Sequence, residues 1–146
     1  MKYKIDSILK SEYQSVLNVW EASVRATHHF LKEEDIEYFK PLILDKYLDL
    51  VTLRCVRNEE GKILGFSGVA EQSLEMLFIH PDERGKGIGK ALLDHAVQEF
   101  DVNKVDVNED NPQAVGFYEK YGFKIYDRSE RDGTGKPYPI LHMKLS

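Results

Sequence analysis

The stretch Arg84-Gly85-Lys86-Gly87-Ile88-Gly89-Lys90 joins a predicted β-strand at Leu74–His80 to a predicted helix. That helix has an apolar stripe at helical spacing, formed by Leu92, Leu93, Ala96, Val97 and Phe100. Glycines let the main chain approach a ligand closely, and they leave N–H groups pointing into a concave nest at the helix N-terminus. Phosphate oxygens bind well in such a nest, helped by nearby cations. The stretch therefore predicts a site for a phosphate-bearing ligand.

Two common phosphate motifs do not fit this stretch. A Walker A loop needs glycine where Arg84 stands, and Ser or Thr where Ala91 stands. A dinucleotide-binding GxGxxG motif fails because Lys90 or Leu92 occupies the position of its last glycine. The pattern that remains is Arg-x-x-Gly-x-Gly, and a tight turn that only caps a helix is the alternative interpretation.

Outside this stretch, the sequence predicts alternating strands and helices. The predicted strands span residues 2–9, 51–57, 63–70, 104–108, 123–126 and 140–145. Helices are predicted from Ser11, from Glu33 with an interruption at Pro41, and from Asn111 to a stop at Gly122. A strand, a crossover helix and a further strand form a right-handed unit with a parallel pair. We therefore expect a mixed α+β fold whose sheet is mainly antiparallel.

Composition limits what the protein can be. The chain has 146 residues, 42% hydrophobic and 31% charged, which suits one folded domain spanning residues 1–146. The net charge of −5, without a clustered basic face, argues against nucleic acid as a partner. No apolar run is long enough to cross a bilayer and the N-terminus lacks a signal-peptide pattern, so we expect a cytoplasmic protein with no membrane partner.

Cysteine and histidine usage gives two further expectations. Cys55 is the only cysteine, so an internal disulfide is excluded. His28 and His29 are adjacent and have no third ligand at a suitable spacing, so we expect no metal.

A second motif lies downstream, where a capped helix ends in Tyr-x-x-x-Gly-Phe over Tyr118–Phe123. Together with the strand Leu77–Pro81 and the glycine stretch, it resembles the GCN5-related N-acetyltransferase (GNAT) family. The resemblance implies the acyl-CoA N-acyltransferase fold, with about four helices around the sheet. Acetyl-CoA would lie in a wedge where two parallel strands splay apart, here Leu74–His80 and Lys104–Asn108. Its acetyl group would pass directly to a primary amine, of a peptidyl lysine or a small molecule.

The resemblance also implies roles for particular residues. Pyrophosphate would bind main-chain N–H groups of the glycine stretch, and the pantetheine arm would pair with an exposed strand edge. The cofactor-binding residues would be Leu77, Phe78, Ile79, Arg84, Gly85, Lys86, Gly87, Ile88, Gly89, Lys90, Asn111, Ala114 and Tyr118. Tyr118 would also be the general acid for the departing thiolate, because a phenol is protonated at neutral pH.

The general base is less closely defined. We predict Glu75, because period-2 alternation puts it on the same strand face as Leu77 and Ile79. The alternatives are Asp106, His28 and His80. Lys136 and Tyr138 are candidate acceptor contacts.

The sequence does not decide the oligomeric state, and it allows rival functions. The sequence leaves open a homodimer. A non-catalytic module that senses acyl-CoA, and a nucleotide-phosphate binder, are the rival functions.

Overall fold

The computed structural model describes residues 3–145. The strands are β1 (Asp6–Ser7), β2 (Thr52–Arg57), β3 (Ile63–Ala70), β4 (Ser73–Ile79), β5 (Lys104–Asn108), β6 (Phe123–Ser129) and β7 (Ile140–Leu145). The helices are α1 (Tyr13–Thr27), α2 (Glu33–Leu42), α3 (Ile88–Phe100) and α4 (Pro112–Tyr121).

The strands form a seven-stranded sheet in the order β1-β2-β3-β4-β5-β7-β6. Neighbouring strands are antiparallel except β4 and β5, which are parallel. The predicted mixed sheet with one parallel pair is therefore confirmed. The β4–β5 ladder is short, because it pairs only Ser73 with Lys104 and Leu74 with Val105. Beyond those two pairs the strands separate.

Apolar side chains cover the sheet on two faces. On one face α1 and α2 pack on β2–β4, with Val16, Trp20 and Phe66 buried. On the other face α3 and α4 pack on β4, β5 and β7, where Leu93 and Met143 are fully buried. The predicted stripe of α3 faces this second cluster and a smaller third one around Ile88 and Leu92.

The N-terminal strand is shorter than predicted. Only Asp6 and Ser7 pair with β2, whereas a strand was expected over residues 2–9. Tyr3 lies outside the strand, where its hydroxyl donates to the Lys86 carbonyl at 2.7 Å and its ring packs with Ile5 beside Ile88. Lys2 lies outside the described residues.

Several other boundaries differ from the predictions, and three of the differences change the local structure. The α2 helix passes through Pro41 to Leu42, and a wider π-type turn at Ile43–Tyr47 follows it. The β4 strand ends at Ile79, so His80 instead caps a short 3₁₀ turn at Pro81–Glu83. The β6 strand continues to Ser129, past a bulge between Ile125 and Asp127.

Candidate functional site

A cavity of about 400 Å³ lies where β4 and β5 separate. Both strands line it, together with the glycine stretch and the first turns of α3 and α4. Because the strands pair only at Ser73 and Leu74, the β5-facing main-chain groups of β4 beyond Leu74 have no strand partner. Such groups need hydrogen-bond partners, and an extended ligand can supply them. We call this space the wedge cavity.

The glycine stretch forms one end of the wedge cavity. Gly85 and Gly87 have φ angles of +74° and +85°, a conformation that side chains with a Cβ adopt rarely. Gly87 is the N-cap of α3, and no main-chain N–H group of residues 85–90 has a main-chain acceptor within residues 3–145. A row of free N–H groups at a helix N-terminus suits phosphate oxygens.

Cations surround this end, but most are already paired. Lys86 pairs with Glu83 at 3.3 Å, and Lys90 pairs with Asp94 at 3.0 Å. Arg84 lines the cavity and donates to the Gln113 side chain at 3.2 Å, which links the glycine stretch to α4. Arg84 is therefore the cation best placed to meet a phosphate.

Tyr118 lies deep in the wedge cavity, on α4. Its ring is 7% exposed and packs edge-on against Phe117 and Phe123, with ring centroids 5.1 Å and 5.7 Å away. Burial raises the pKa of the hydroxyl above its ordinary value of 10.0, so the phenol is protonated at neutral pH. Within the described residues the hydroxyl has no side-chain hydrogen-bond partner, and it lines the cavity as a free donor.

Glu75 and Asp106 line the wedge cavity from its two strands. Desolvation, with the charges of Asp106 and Glu71, raises the pKa of Glu75 above its ordinary value of 4.5. A β-bulge lies here, since Leu74 pairs with Val69 and Met76 with Gly68 while Glu75 is left over. The period-2 alternation that predicted the face of Glu75 is therefore interrupted, although its side chain still reaches the cavity.

His28 follows α1 and forms part of the cavity wall. Burial, with the charges of Arg84 and His29, lowers its pKa to about 4, so the ring is neutral at neutral pH. The Thr27 hydroxyl donates to the Ser23 carbonyl at 2.8 Å, so it accepts from Nδ1 of His28, also at 2.8 Å.

The other nitrogen of His28 is also engaged. Nε2 accepts from the Asn111 amide at 3.5 Å, while the Asn111 side-chain oxygen accepts from the Ala114 N–H at 3.3 Å. His28 therefore connects α1 to α4, with both ring nitrogens in use.

The structure brings most predicted site residues together. The wedge cavity is lined by Glu75, Leu77, Phe78, Ile79, Arg84, Gly85, Gly87, Ile88, Gly89, Lys90, Asn111, Ala114 and Tyr118. Lys86 is absent from this lining, because its side chain turns to Glu83. His80 lines a different cavity, with Glu12 and Lys62.

Lys136 and Tyr138, the predicted acceptor contacts, hold a loop against α2 instead. Lys136 pairs with Asp35 at 2.9 Å, and the Tyr138 hydroxyl donates to the same carboxylate. Neither residue lines the wedge cavity.

Several lining residues were not predicted from the sequence. Ser23, Met76, Val105, Val107, Asn108, Gln113 and Phe117 all line the cavity. Phe117 could have been found because it lies three residues after Ala114 on α4, and Gln113 because it lies four residues before Phe117. Ser23 and Met76 carry no such signal, because α1 and the β4 bulge reach the cavity only through tertiary packing.

Metal-ligand clusters and membrane-spanning helices are both absent from the part of the chain that the structure describes. Among residues 3–145, no group of three or more His, Cys, Asp or Glu side chains could hold a metal ion. No helix within the same range is long and apolar enough to cross a membrane.

Comparison with known proteins gives consistent matches. A family model described as an acetyltransferase (GNAT) domain matches residues 28–146. The chain is 41% identical over 132 residues to the peptidyl-lysine N-acetyltransferase YjaB of Escherichia coli K12, covering 90% of this chain and 89% of that protein.

Solved structures agree with the sequence matches. The solution structure of apo-form YjaB from Escherichia coli superposes with a TM-score of 0.88 and 38% identity, covering 99% of this chain and 98% of that one. The crystal structure of a paia N-acetyltransferase from Thermoplasma acidophilum, in complex with coenzyme A, has a TM-score of 0.75. At 21% identity, over 99% of this chain and 100% of that one, it shares the fold.

Proposed function

Because this chain belongs to the GNAT acetyltransferase family, and so transfers an acetyl group from acetyl-CoA to an amine, we propose that the wedge cavity is where the transfer occurs. The observation that carries the proposal is the separation of β4 from β5 after two residue pairs. This separation leaves a free strand edge along which an extended acetyl-CoA molecule can lie, from the glycine stretch to Tyr118.

We propose a single orientation for acetyl-CoA in the wedge cavity. Its pyrophosphate accepts from the free N–H groups of residues 85–90, beside Arg84. The pantetheine arm pairs with the open edge of β4 at Leu77–Ile79, and Asn111 and Ala114 flank it from α4. This direction brings the thioester to the deep end, where the Tyr118 hydroxyl is free.

Acetyl transfer is proposed to proceed in one displacement. Glu75 takes a proton from the acceptor ammonium, and the freed nitrogen lone pair attacks the thioester carbonyl carbon. A main-chain N–H on β4 stabilises the developing oxyanion. As the carbon–sulfur bond breaks, the Tyr118 hydroxyl gives its proton to the thiolate, which leaves as free coenzyme A. The attacking nitrogen then gives its second proton to the Tyr118 phenolate through solvent, which leaves a neutral amide and restores the phenol.

The acceptor is proposed to be a lysine side chain of a protein. Support comes from the name of the relative YjaB, a peptidyl-lysine N-acetyltransferase, and from the charges of this site. Glu75 and Asp106 put carboxylates on both strands of the cavity, which favours a cationic acceptor. We further propose that the chain forms one domain and that it works in the cytoplasm. A homodimer is also a prediction, which light scattering would check.

An acceptor screen tests the proposed function. Purified protein is mixed with acetyl-CoA and lysine peptides, polyamines or aminoglycosides, and released thiol is measured. We expect lysine peptides to give the highest turnover. If coenzyme A binds but no amine releases thiol, the chain is instead an acyl-CoA-binding module. Equal thermal stabilisation by ATP and coenzyme A would favour a nucleotide-phosphate binder.

A further inference from the structure

Three side chains form a hydrogen-bonded series across the C-terminal strands. The Ser129 hydroxyl on β6 lies 2.7 Å from Nε2 of His142 on β7. Nδ1 of His142 lies 2.7 Å from Oδ1 of Asp106 on β5. We call this series the Asp106–His142–Ser129 relay.

Strand register brings the relay together. Asp106 and His142 are direct partners in the β5–β7 ladder, so their side chains project from the same sheet face. Val105, Val107 and Met143 alternate with them and pack under α3 and α4, so the relay lies on the opposite face. The bulge in β6 shifts the register before Ser129 and lets its hydroxyl reach the ring.

The proton positions follow from the partners. A carboxylate can only accept a hydrogen bond, so Nδ1 of His142 carries the proton that it donates to Asp106. In the neutral ring, Nε2 then accepts from the Ser129 hydroxyl. The imidazole is held at both ends, and its orientation fixes that of the Asp106 carboxylate.

One carboxylate oxygen of Asp106 is available to a ligand. Oδ1 is bonded to His142, and within the described residues the second oxygen has no hydrogen-bond partner. The side chain is 55% exposed and lines the wedge cavity opposite Glu75. A free carboxylate oxygen of fixed direction thus faces the same space as the proposed base.

From this geometry we propose that Asp106 is the binding residue for the acceptor's ammonium group, and that His142 and Ser129 are positioning residues which aim it. The inference rests on the proposed function. A lysine ammonium has three N–H donors. One is held by Asp106 while a second gives its proton to Glu75, so an O–H bond forms at Glu75 as that N–H bond breaks. The acceptor nitrogen keeps the N–H that donates to Asp106. This hydrogen bond orients the lone pair left on the nitrogen.

The order of groups is also that of a serine-hydrolase triad, in which the hydroxyl is the nucleophile. Ser129 does not line the wedge cavity, whereas Asp106 does. The end of the series that meets substrate is therefore the carboxylate, and the serine supports the imidazole.

The test separates acceptor binding from turnover. Steady-state kinetics with a lysine peptide and with acetyl-CoA are measured for wild type, Asp106→Asn, His142→Leu, His142→Asn and Ser129→Ala. Loss of a charge-assisted hydrogen bond should raise the peptide KM of Asp106→Asn about tenfold. The coenzyme A affinity, measured by calorimetry, should not change.

The His142 variants test the positioning role. His142→Leu should raise the peptide KM in the same direction, while His142→Asn should restore it, because an amide keeps a donor near the place of Nδ1. Ser129→Ala should give a smaller rise. His95→Leu on α3, where the ring packs against Phe100, is the matched control and should leave the peptide KM unchanged.

Two results would overturn the inference. An unchanged peptide KM in both Asp106→Asn and His142→Leu, with coenzyme A binding intact, would remove it and leave the proposed function standing. Labelling of Ser129 by a fluorophosphonate probe would assign the series to a nucleophile instead. If wild-type protein itself acetylates no lysine peptide, the proposed function fails first.

Discussion

At the scale of single residues, the surroundings of Tyr118 match the demands of a general acid. The ring is fixed by Phe117 and Phe123, and burial keeps the hydroxyl protonated. The same helix carries Tyr121, whose hydroxyl donates to Asp94 at 2.8 Å and is already in use. Two tyrosines one turn apart thus have different chemistry because only one has a free hydroxyl in the cavity.

That contrast gives a matched pair of variants. Tyr118→Phe keeps the aromatic packing and removes the proposed general acid, so kcat should fall about 100-fold or more. The affinity of Tyr118→Phe for coenzyme A should equal that of wild type. Tyr121→Phe should leave kcat close to the wild-type value. Thiol release gives the rate and calorimetry gives the affinity, and equal kcat in the two variants would remove Tyr118 from the mechanism.

Glu75 gives a prediction about pH. A base must be deprotonated to act, and the pKa of Glu75 lies above its ordinary value of 4.5. Wild-type kcat/KM should therefore fall as pH falls through that raised pKa. Glu75→Gln should lower kcat and lose this acidic limb, whereas Glu60→Gln in an exposed turn should keep it. A limb that persists in Glu75→Gln would assign it to another group.

At the scale of elements, two glycines of the site helices have different backbone constraints. Gly87 has a φ of +85° and closes the nest, whereas Gly116 lies inside α4, and the place that a Cβ would take there has no atom within 4 Å. The first position depends on the absence of a Cβ for its backbone conformation. The second does not.

The same substitution should therefore have opposite effects at these positions. Gly87→Ala should lower the free energy of unfolding by about 1–2 kcal/mol, because a Cβ is strained at positive φ. It should also weaken coenzyme A binding. Gly116→Ala should raise stability by about 0.5–1 kcal/mol. Urea unfolding and calorimetry measure both quantities, and undiminished coenzyme A affinity in Gly87→Ala would contradict the role of the nest.

The N-terminal elements are held by Arg57 on β2. Its guanidinium bonds to Asp6 at 2.8 Å and to Glu12 at 2.6 Å. Arg57 and the Leu9 N–H lower the pKa of Glu12 from 4.5 to about 2. A carboxyl with a lowered pKa stabilises the fold above its unfolded value, and that contribution disappears as pH falls from 4.5 towards 2.

Glu12→Gln should accordingly be less stable than wild type at pH 7. The difference between the two proteins should shrink as pH falls from about 4.5 to about 2, because the wild-type carboxyl is then protonated. Urea unfolding across this range measures it, with Glu59→Gln in the exposed turn as control. A stability difference that is constant with pH would show that the ion pair contributes nothing.

Sequence periodicity predicted some elements better than others. The bounds of β3, β5 and β7 match, because each is a short apolar or alternating run between clear turn signals. Pro41 was expected to interrupt a helix, yet α2 continues through it to Leu42, and a π-type turn follows directly. Bulges at Glu75 and in β6 had no signal, because they depend on cross-strand packing.

At the scale of the whole molecule, the site arises from one topological feature. A parallel pair that separates after Leu74 and Val105 leaves a free edge inside a continuous sheet, and α3 and α4 deliver the glycine nest and Tyr118 to it. The cavity lining contributed by the glycine stretch and α4 could be predicted, because those motifs are local in sequence. The relay of Asp106, His142 and Ser129 could not, because strand register alone brings those residues together.

The most direct test of this account is an NMR titration with coenzyme A that follows backbone amides. We predict the largest shift changes at residues 85–90 and at Leu77–Ile79, with smaller ones at Asn111 and Ala114. The contradictory result would be changes confined to the second cavity, of about 250 Å³, around Glu12, Lys62 and His80, or no change at all.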